Sequence, residues 1–235
     1  MARRGRRSGT SKVARPAYVV LVRLVGYERR LVTLVEYDAV WPEVASYIAS
    51  LLATAVPTGT VEHVGSTAVP GLSGKGTIDM MVVVPRADVP AVVPALCAAG
   101  LQTRPNGFPP HRPLLFAAVE AAGRTYQVHV HVIPQDDDEV QVQRGLTVAL
   151  RDDPELRAQY GALKRDIVQS GAVDPVPYSA AKDAWLARTL SRLGLPPTPE
   201  AFRGGPPAST REPTESGTPP VRVASAPATS SVEDR

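Results

Sequence analysis

Short β-branched runs alternate along this chain with longer stretches at helical spacing. Residues 18–25 and 31–35 are rich in Val, Leu and Tyr and are separated by Gly26 and charged residues, which predicts a hairpin or an added sheet edge. After Asp38, the residues Trp41, Val44, Ala45, Ile48, Leu51, Leu52 and Ala55 recur at helical intervals and Pro42 suits a first turn, so a helix with one buried face is expected. Residues 60–64 and 77–84 predict strands, and the unbroken apolar run ending the second suits a strand covered on both faces. Asp88 and Pro90 open another helix, which Gly100 closes. Two further strands, 114–120 and 124–133, meet at a short turn around Ala122 and Gly123. Asp153 followed by Pro154 caps a helix through about Gln169, with Leu156, Tyr160, Leu163 and Ile167 on one side. A last helix is expected from Ser179, carrying Ala184, Trp185, Leu186 and Leu190 and stopped by Gly194. The fold class predicted is α/β or α+β, a mixed sheet with helices packed on it.

Outside that pattern the periodicity fails. From Pro196 to the end the chain is dense in Pro, Ser, Thr, Gly and Ala, a composition unable to offset its ordering entropy, so 196–235 is expected to be a disordered tail. Residues 1–15 hold Arg3, Arg4, Arg6, Arg7, Lys12 and Arg15 and no acid. With these six set aside, the formal charge of +3 becomes about −3 for the remainder, so the domain at 16–195 is not basic while the arm is. Such an arm suits a solvated end, with electrostatic contact to RNA as the alternative. It lacks the apolar core of a secretory signal, and no run reaches the length of a membrane span, which points to a cytoplasmic protein without a membrane partner. The single Cys97 excludes an internal disulfide framework and falls in the pattern Val92, Val93, Leu96, Ala99, where a buried thiol is expected to serve as a small hydrophobe.

The chemistry concentrates in residues 61–84, VEHVGSTAVPGLSGKGTIDMMVVV. A strand runs into Gly65 and Ser66, a Gly/Pro-rich loop follows, and a second strand carries Asp79 among apolar residues. Gly65 allows a phosphate to approach backbone amides, and Ser66 and Thr67 add hydroxyl donors. Asp79, costly to bury as an isolated anion, calls for a nearby cation or metal. The string reads as a phosphate cradle facing a metal-binding carboxylate.

The same residues resemble the GrpB family, a branch of the nucleotidyltransferase superfold. The matching residues are His63 to Leu72 (His-Val-Gly-Ser-Thr-Ala-Val-Pro-Gly-Leu), then Lys75, then Ile78 with Asp79. The resemblance extends to Tyr37, Asp38, Trp41 and Pro42 before them, and to His131 through Pro134, Asp153-Pro154-Glu155, Tyr160 with Lys164, and Tyr178 with Lys182 after them, about residues 31 to 190 in all. It implies a nucleotidyltransferase-like mixed sheet in which the Gly-Ser turn holds the β and γ phosphates of a nucleoside triphosphate and carboxylates hold a divalent metal, Mg or Mn ahead of Zn or Fe. Two departures stand out. Superfamily transferases carry a second acid two residues after the first, where this chain has Met81, and the family's Lys-Pro is Lys75-Gly76 here.

Further candidates follow from strand and loop position. In 128–132 the two-residue period puts His129 and His131 on one face, either as metal ligands with Asp79 or with one ring turned to solvent or a carbonyl; His131 matches the family position and His129 does not. His63 shares the strand face of Gly65 and either orients Asp79 and the loop or simply packs. Lys75 is expected on phosphate as a point charge. Arg112 contacts the leaving group or acceptor, or else forms a surface ion pair. Tyr178 with Lys182 caps the site, or Lys164 and Lys182 are helix-surface charges. The acids Asp136, Asp137, Asp138 and Glu139 read as a solvated turn leading into a helix. Three functions result: a metal-dependent nucleotidyl or phosphoryl transferase acting from an NTP on an unknown acceptor, a nucleotide-binding regulatory protein without turnover, and a metal-dependent hydrolase using Asp79, His129 and His131.

Overall fold

The 124–134 segment alternates strictly, with Tyr126, Val128, Val130 and Val132 buried on one face and Gln127, His129 and His131 only partly buried on the other. It forms β6 (Arg124–Pro134) and pairs antiparallel with β5 (Leu114–Ala121) through the two-residue turn Ala122-Gly123. Both turn residues take positive φ, 51° and 73°, as so tight a connection between twisted strands requires. A computed structural model of the chain describes residues 23–104 and 108–197; the expected basic arm and residues 198–235 lie outside them. On the far side of β6 runs β3 (Ile78–Val84), parallel to it, and β3 pairs antiparallel with β2 (Thr60–Val64). Two short strands, β1 (Arg23–Val25) and β4 (Gln102–Thr103), both pair antiparallel with β5. The result is a six-stranded mixed sheet with helices on both faces, the α/β class expected.

One face is covered by α1 (Trp41–Ala55) and α2 (Val89–Ala98). There Trp41, Val44, Ile48 and Leu52 meet Ile78, Met80 and Val82 of β3, Leu115 and Val119 of β5, and Val128 and Val130 of β6 in the main core. The opposite face is covered in part. Val140 of α3 (Asp138–Asp152) closes over Val64, Met81, Val83 and Ile133, while α4 (Pro154–Gln169) sets Leu156 and Tyr160 against Val69 and Leu72 of the loop after β2. Two shorter helices follow, α5 (Pro175–Ala180) and α6 (Asp183–Arg192). Asp79, His129 and His131 share the part of this face that α3 leaves uncovered. No helix among the described residues is long and apolar enough to cross a membrane.

Several expectations need correction. Residues 31–35 do not form a strand or a hairpin arm; Arg23–Val25 is a sheet edge on β5, Val35 makes one isolated bridge to Gly74, and residues 18–22 lie outside the described residues. The last helix starts at Asp183, because Ser179 lies in the final turn of α5. Cys97 is exposed, since Val92 and Leu96 define the buried stripe of α2 and Cys97 falls beside it. Within the acidic run, Asp136 is solvent-facing and Asp137 caps α3 by accepting from the Glu139 amide, but Glu139 itself is buried.

Candidate functional site

The register of β2 and β3 places Val64 opposite Asp79, so the chain leaves β2 at Gly65 directly over that carboxyl group. Gly65 has φ 72° and ψ −167°, and a Cβ there would lie 2.8 Å from Asp79 Oδ2. The position therefore needs glycine twice over, for its backbone angles and for its closeness to the acid. Ser66–Ala68 form a single 3-10 turn. Thr67, buried within it, donates its hydroxyl hydrogen to the Thr77 carbonyl at 3.0 Å, and its oxygen therefore accepts from His63 Nε2, also at 3.0 Å. Burial holds the His63 imidazole down to about 4, so the ring is neutral near pH 7 and its proton sits on Nε2. His63 thus orients the loop. Thr67, expected as a phosphate donor, has its hydroxyl committed to the loop's own closure.

Parallel pairing of β3 with β6 sets Asp79 beside His129 and Met81 beside His131. Asp79 Oδ1 lies 3.5 Å from His129 Nδ1 and 3.9 Å from His131 Nε2, with the Asp79 side chain 22% exposed. Burial raises the carboxyl's pKa, but the two imidazoles and the Lys75 charge together outweigh it and hold the group well below the usual carboxylate range. Burial lowers His129 to about 4, so Asp79 is ionised and His129 neutral near pH 7. An aromatic wall backs His129: the Phe116 ring meets it edge-on at 5.2 Å, and Tyr27 places its hydroxyl 3.5 Å from Nε2. Tyr27 was not visible in the sequence pattern because it belongs to no periodic element.

The opposite rim is cationic. Lys75 sits on the loop leading into β3, near enough for its charge to act on Asp79, His129 and Lys182. Lys182 follows α5, with Nζ 4.6 Å from the ring centroid of the buried Tyr178. Burial, with Lys75 as the next influence, lowers the Lys182 amine to about 8. Lys164 is not a helix-surface charge: its side chain is fully buried, and Nζ donates to Ser66 Oγ at 3.1 Å. Its sequence signal is its spacing, four residues after Tyr160 and three before Ile167, within the apolar stripe of α4.

Arg112 belongs to a separate group. It pairs with Asp137 at 3.3 Å with both side chains largely buried, and its charge acts on Glu139. Burial raises the Glu139 carboxyl, and Gln143 donates to its Oε1 at 2.6 Å.

The donor set decides how a metal fits. Two ions need adjacent acids, and the second place is taken by Met81, fully buried against Val64, Val83, Ile133 and Val140. Among the described residues no group of three or more His, Cys, Asp and Glu side chains is arranged to hold a metal, so Asp79, His129 and His131 do not form the three-ligand cage that a hydrolase reading requires. The imidazoles are instead drawn to one oxygen of Asp79. One carboxylate does suit a single Mg or Mn carried in by phosphates, since such ions are commonly held by one or two acids together with the ligand.

Fold and site together define an α/β protein with a mixed sheet whose open face sets one acid under a glycine bend ringed by lysines. The chain belongs to the GrpB protein family, whose model matches residues 31–192. It is 34% identical over 181 residues to a UPF0157 protein of Streptomyces coelicolor, covering 75% of this chain and 92% of that one. Among solved structures it resembles the conserved protein GrpB from Enterococcus faecalis at TM-score 0.57 and 25% identity, over 68% of this chain and 96% of that one. Terminal uridylyl transferase 4 from Trypanosoma brucei is a more distant neighbour, at TM-score 0.46 and 16% identity over 71% of this chain and 58% of that one.

Proposed function

We propose that this chain binds a nucleoside triphosphate with its β and γ phosphates on the Gly65–Ser66 bend and Lys75, and transfers a nucleotidyl or phosphoryl group from it on a nucleotidyltransferase-like fold. The observation that carries this reading is the closeness of the bend to the acid: a Cβ at Gly65 would lie 2.8 Å from Asp79 Oδ2, and lysines face both. The ammonium groups would offset the charge of the phosphates, and the Ser66 hydroxyl would donate to one of their oxygens. A divalent ion held by Asp79, when bound, would neutralise charge on the phosphoryl group. Asp79, ionised throughout the neutral range, is suited to hold such an ion and poorly suited to take a proton.

A second reading, nucleotide binding without turnover, draws on the burial of Met81 where a transferase of this fold carries its second acid. Equilibrium binding of ATP, GTP, CTP and UTP in the presence of Mn, followed by product analysis with candidate acceptors, tests both. Binding is expected for at least one triphosphate, weakened tenfold or more by Ser66→Ala or Lys75→Ala. A wild-type chain that binds none of the four would overturn both readings, and binding without product would select the second.

A further inference from the structure

The chain carries 26 Lys and Arg residues, yet its lysines are only Lys12, Lys75, Lys164 and Lys182, and the last three gather at the bend, each acting electrostatically on the next. Apart from Lys12, every other basic side chain among the 26 is an arginine. The distinction is chemical, because a guanidinium keeps its proton at any relevant pH whereas a compact ammonium can lose it when buried. Lys164 goes furthest in this direction. It is 1% exposed, held by α4 beneath the loop, with Nζ donating to Ser66 Oγ at 3.1 Å and also to the Ser73 carbonyl oxygen. The Tyr160 ring centroid lies 4.7 Å from Nζ. A Cβ on Gly74 would come within 3.2 Å of Ser66 Cβ and 3.7 Å of Nζ, so the two ends of the loop close on the amine.

We propose that Lys164 is the positioning residue of this bend: by donating from beneath to Ser66 Oγ and to the Ser73 carbonyl, it leaves the Ser66 hydroxyl hydrogen free for a polyphosphate oxygen, and that anion in turn keeps the amine protonated. This rests on the phosphate reading of the bend. Both hydrogen-bond acceptors of the amine are neutral oxygens, and the charges acting on it, Lys182 beyond α5 and Arg165 on its own helix, are of its own sign. The Tyr160 hydroxyl is kept in its neutral form, chiefly by burial, and so adds no negative charge beside the amine. With burial as the main cause and these cations adding to it, the amine is lowered to about 7 and is only partly charged at neutral pH. A phosphate on the bend brings the opposite charge that is missing, so binding takes up a proton. The affinity contributed by Lys164 is then full below pH 7 and falls as pH rises above it, by up to tenfold per unit, until the pKa of the bound state is passed.

The test uses the full chain labelled with ¹³C at lysine Cε, titrated from pH 5.5 to 10 with and without inorganic triphosphate, alongside triphosphate dissociation constants for wild type and Lys164→Met. Two of the four lysine signals are expected to titrate well below the usual lysine range, and the lower of the two is expected to vanish in Lys164→Met and to move up by about one pH unit or more with triphosphate. If that variant does not fold, Lys75→Met and Lys182→Met assign the signal by elimination. The ratio of variant to wild-type Kd, in which the ionisation of the ligand cancels, is expected to exceed about tenfold at pH 6.5 and to shrink toward one by pH 9.5. A Lys164 signal that triphosphate does not move, or a Kd ratio independent of pH, overturns the inference while leaving the phosphate site standing. A wild-type chain that does not bind triphosphate removes both.

Discussion

Gly65 and Gly71 share nearly the same left-handed φ, 72° and 78°, in the same loop, but differ in their surroundings. An added Cβ at Gly71 meets nothing within 4 Å, whereas at Gly65 it runs into the Asp79 carboxyl group. Alanine at either site carries the backbone strain of that region, of the order of 1 to 3 kcal/mol. Only Gly65→Ala also displaces Asp79, so triphosphate binding is expected to fall at least tenfold in Gly65→Ala and to change little in Gly71→Ala, with urea unfolding measured on both to separate stability from affinity. At this scale the sequence was legible in which residues meet, since Gly65 closes on Asp79 and the Lys75 charge acts on that carboxyl group, while what they hold is the proposal above. It was least legible where the partner decides. Thr67 resembles Ser66 until the Thr77 carbonyl takes its hydroxyl hydrogen. Lys164 resembles a surface lysine until α4 is laid over the loop.

Among the elements, α4 is the one that delivers Lys164, and its start is set by a single side chain. Asp153 Oδ1 accepts from the amides of Glu155 and Leu156, both at 2.9 Å, and Pro154 occupies the first turn. Asp153→Ala is expected to lower unfolding free energy by about 1 kcal/mol in a denaturant titration, within the range for a lost N-cap. That cap with Pro154 made α4 readable from sequence, Pro42 with the apolar spacing did so for α1, and the Ala122-Gly123 turn for β5 and β6. Residues 31–35 misled because exposed Leu31 and Val35 give them the composition of a strand while no neighbouring strand pairs with them. Helix α5 was missed because Pro175 and Pro177 suggest a loop, although both fall in its first turn, where no amide donor is lost.

Taken whole, the molecule assigns its two sheet faces different tasks. The face under α1 and α2 is continuously apolar, while the other is divided between an apolar patch beneath α3 and the open region around Asp79. Met81 stands on that second face but on the sealed side of the division. Met81→Asp, which would recreate the paired acids of a two-ion transferase, is therefore expected to place a carboxyl group among Val64, Val83, Ile133 and Val140 and to destabilise the chain by about 3 kcal/mol or more, measured by denaturant unfolding, rather than to yield activity. The scarcity of lysine has a practical corollary. Apart from Lys12 and the α-amino group, an acylating reagent finds accessible primary amines only at Lys75 and Lys182, with Lys164 buried beside them, so mass-spectrometric footprinting with and without a competitor would survey this one region against an almost silent background.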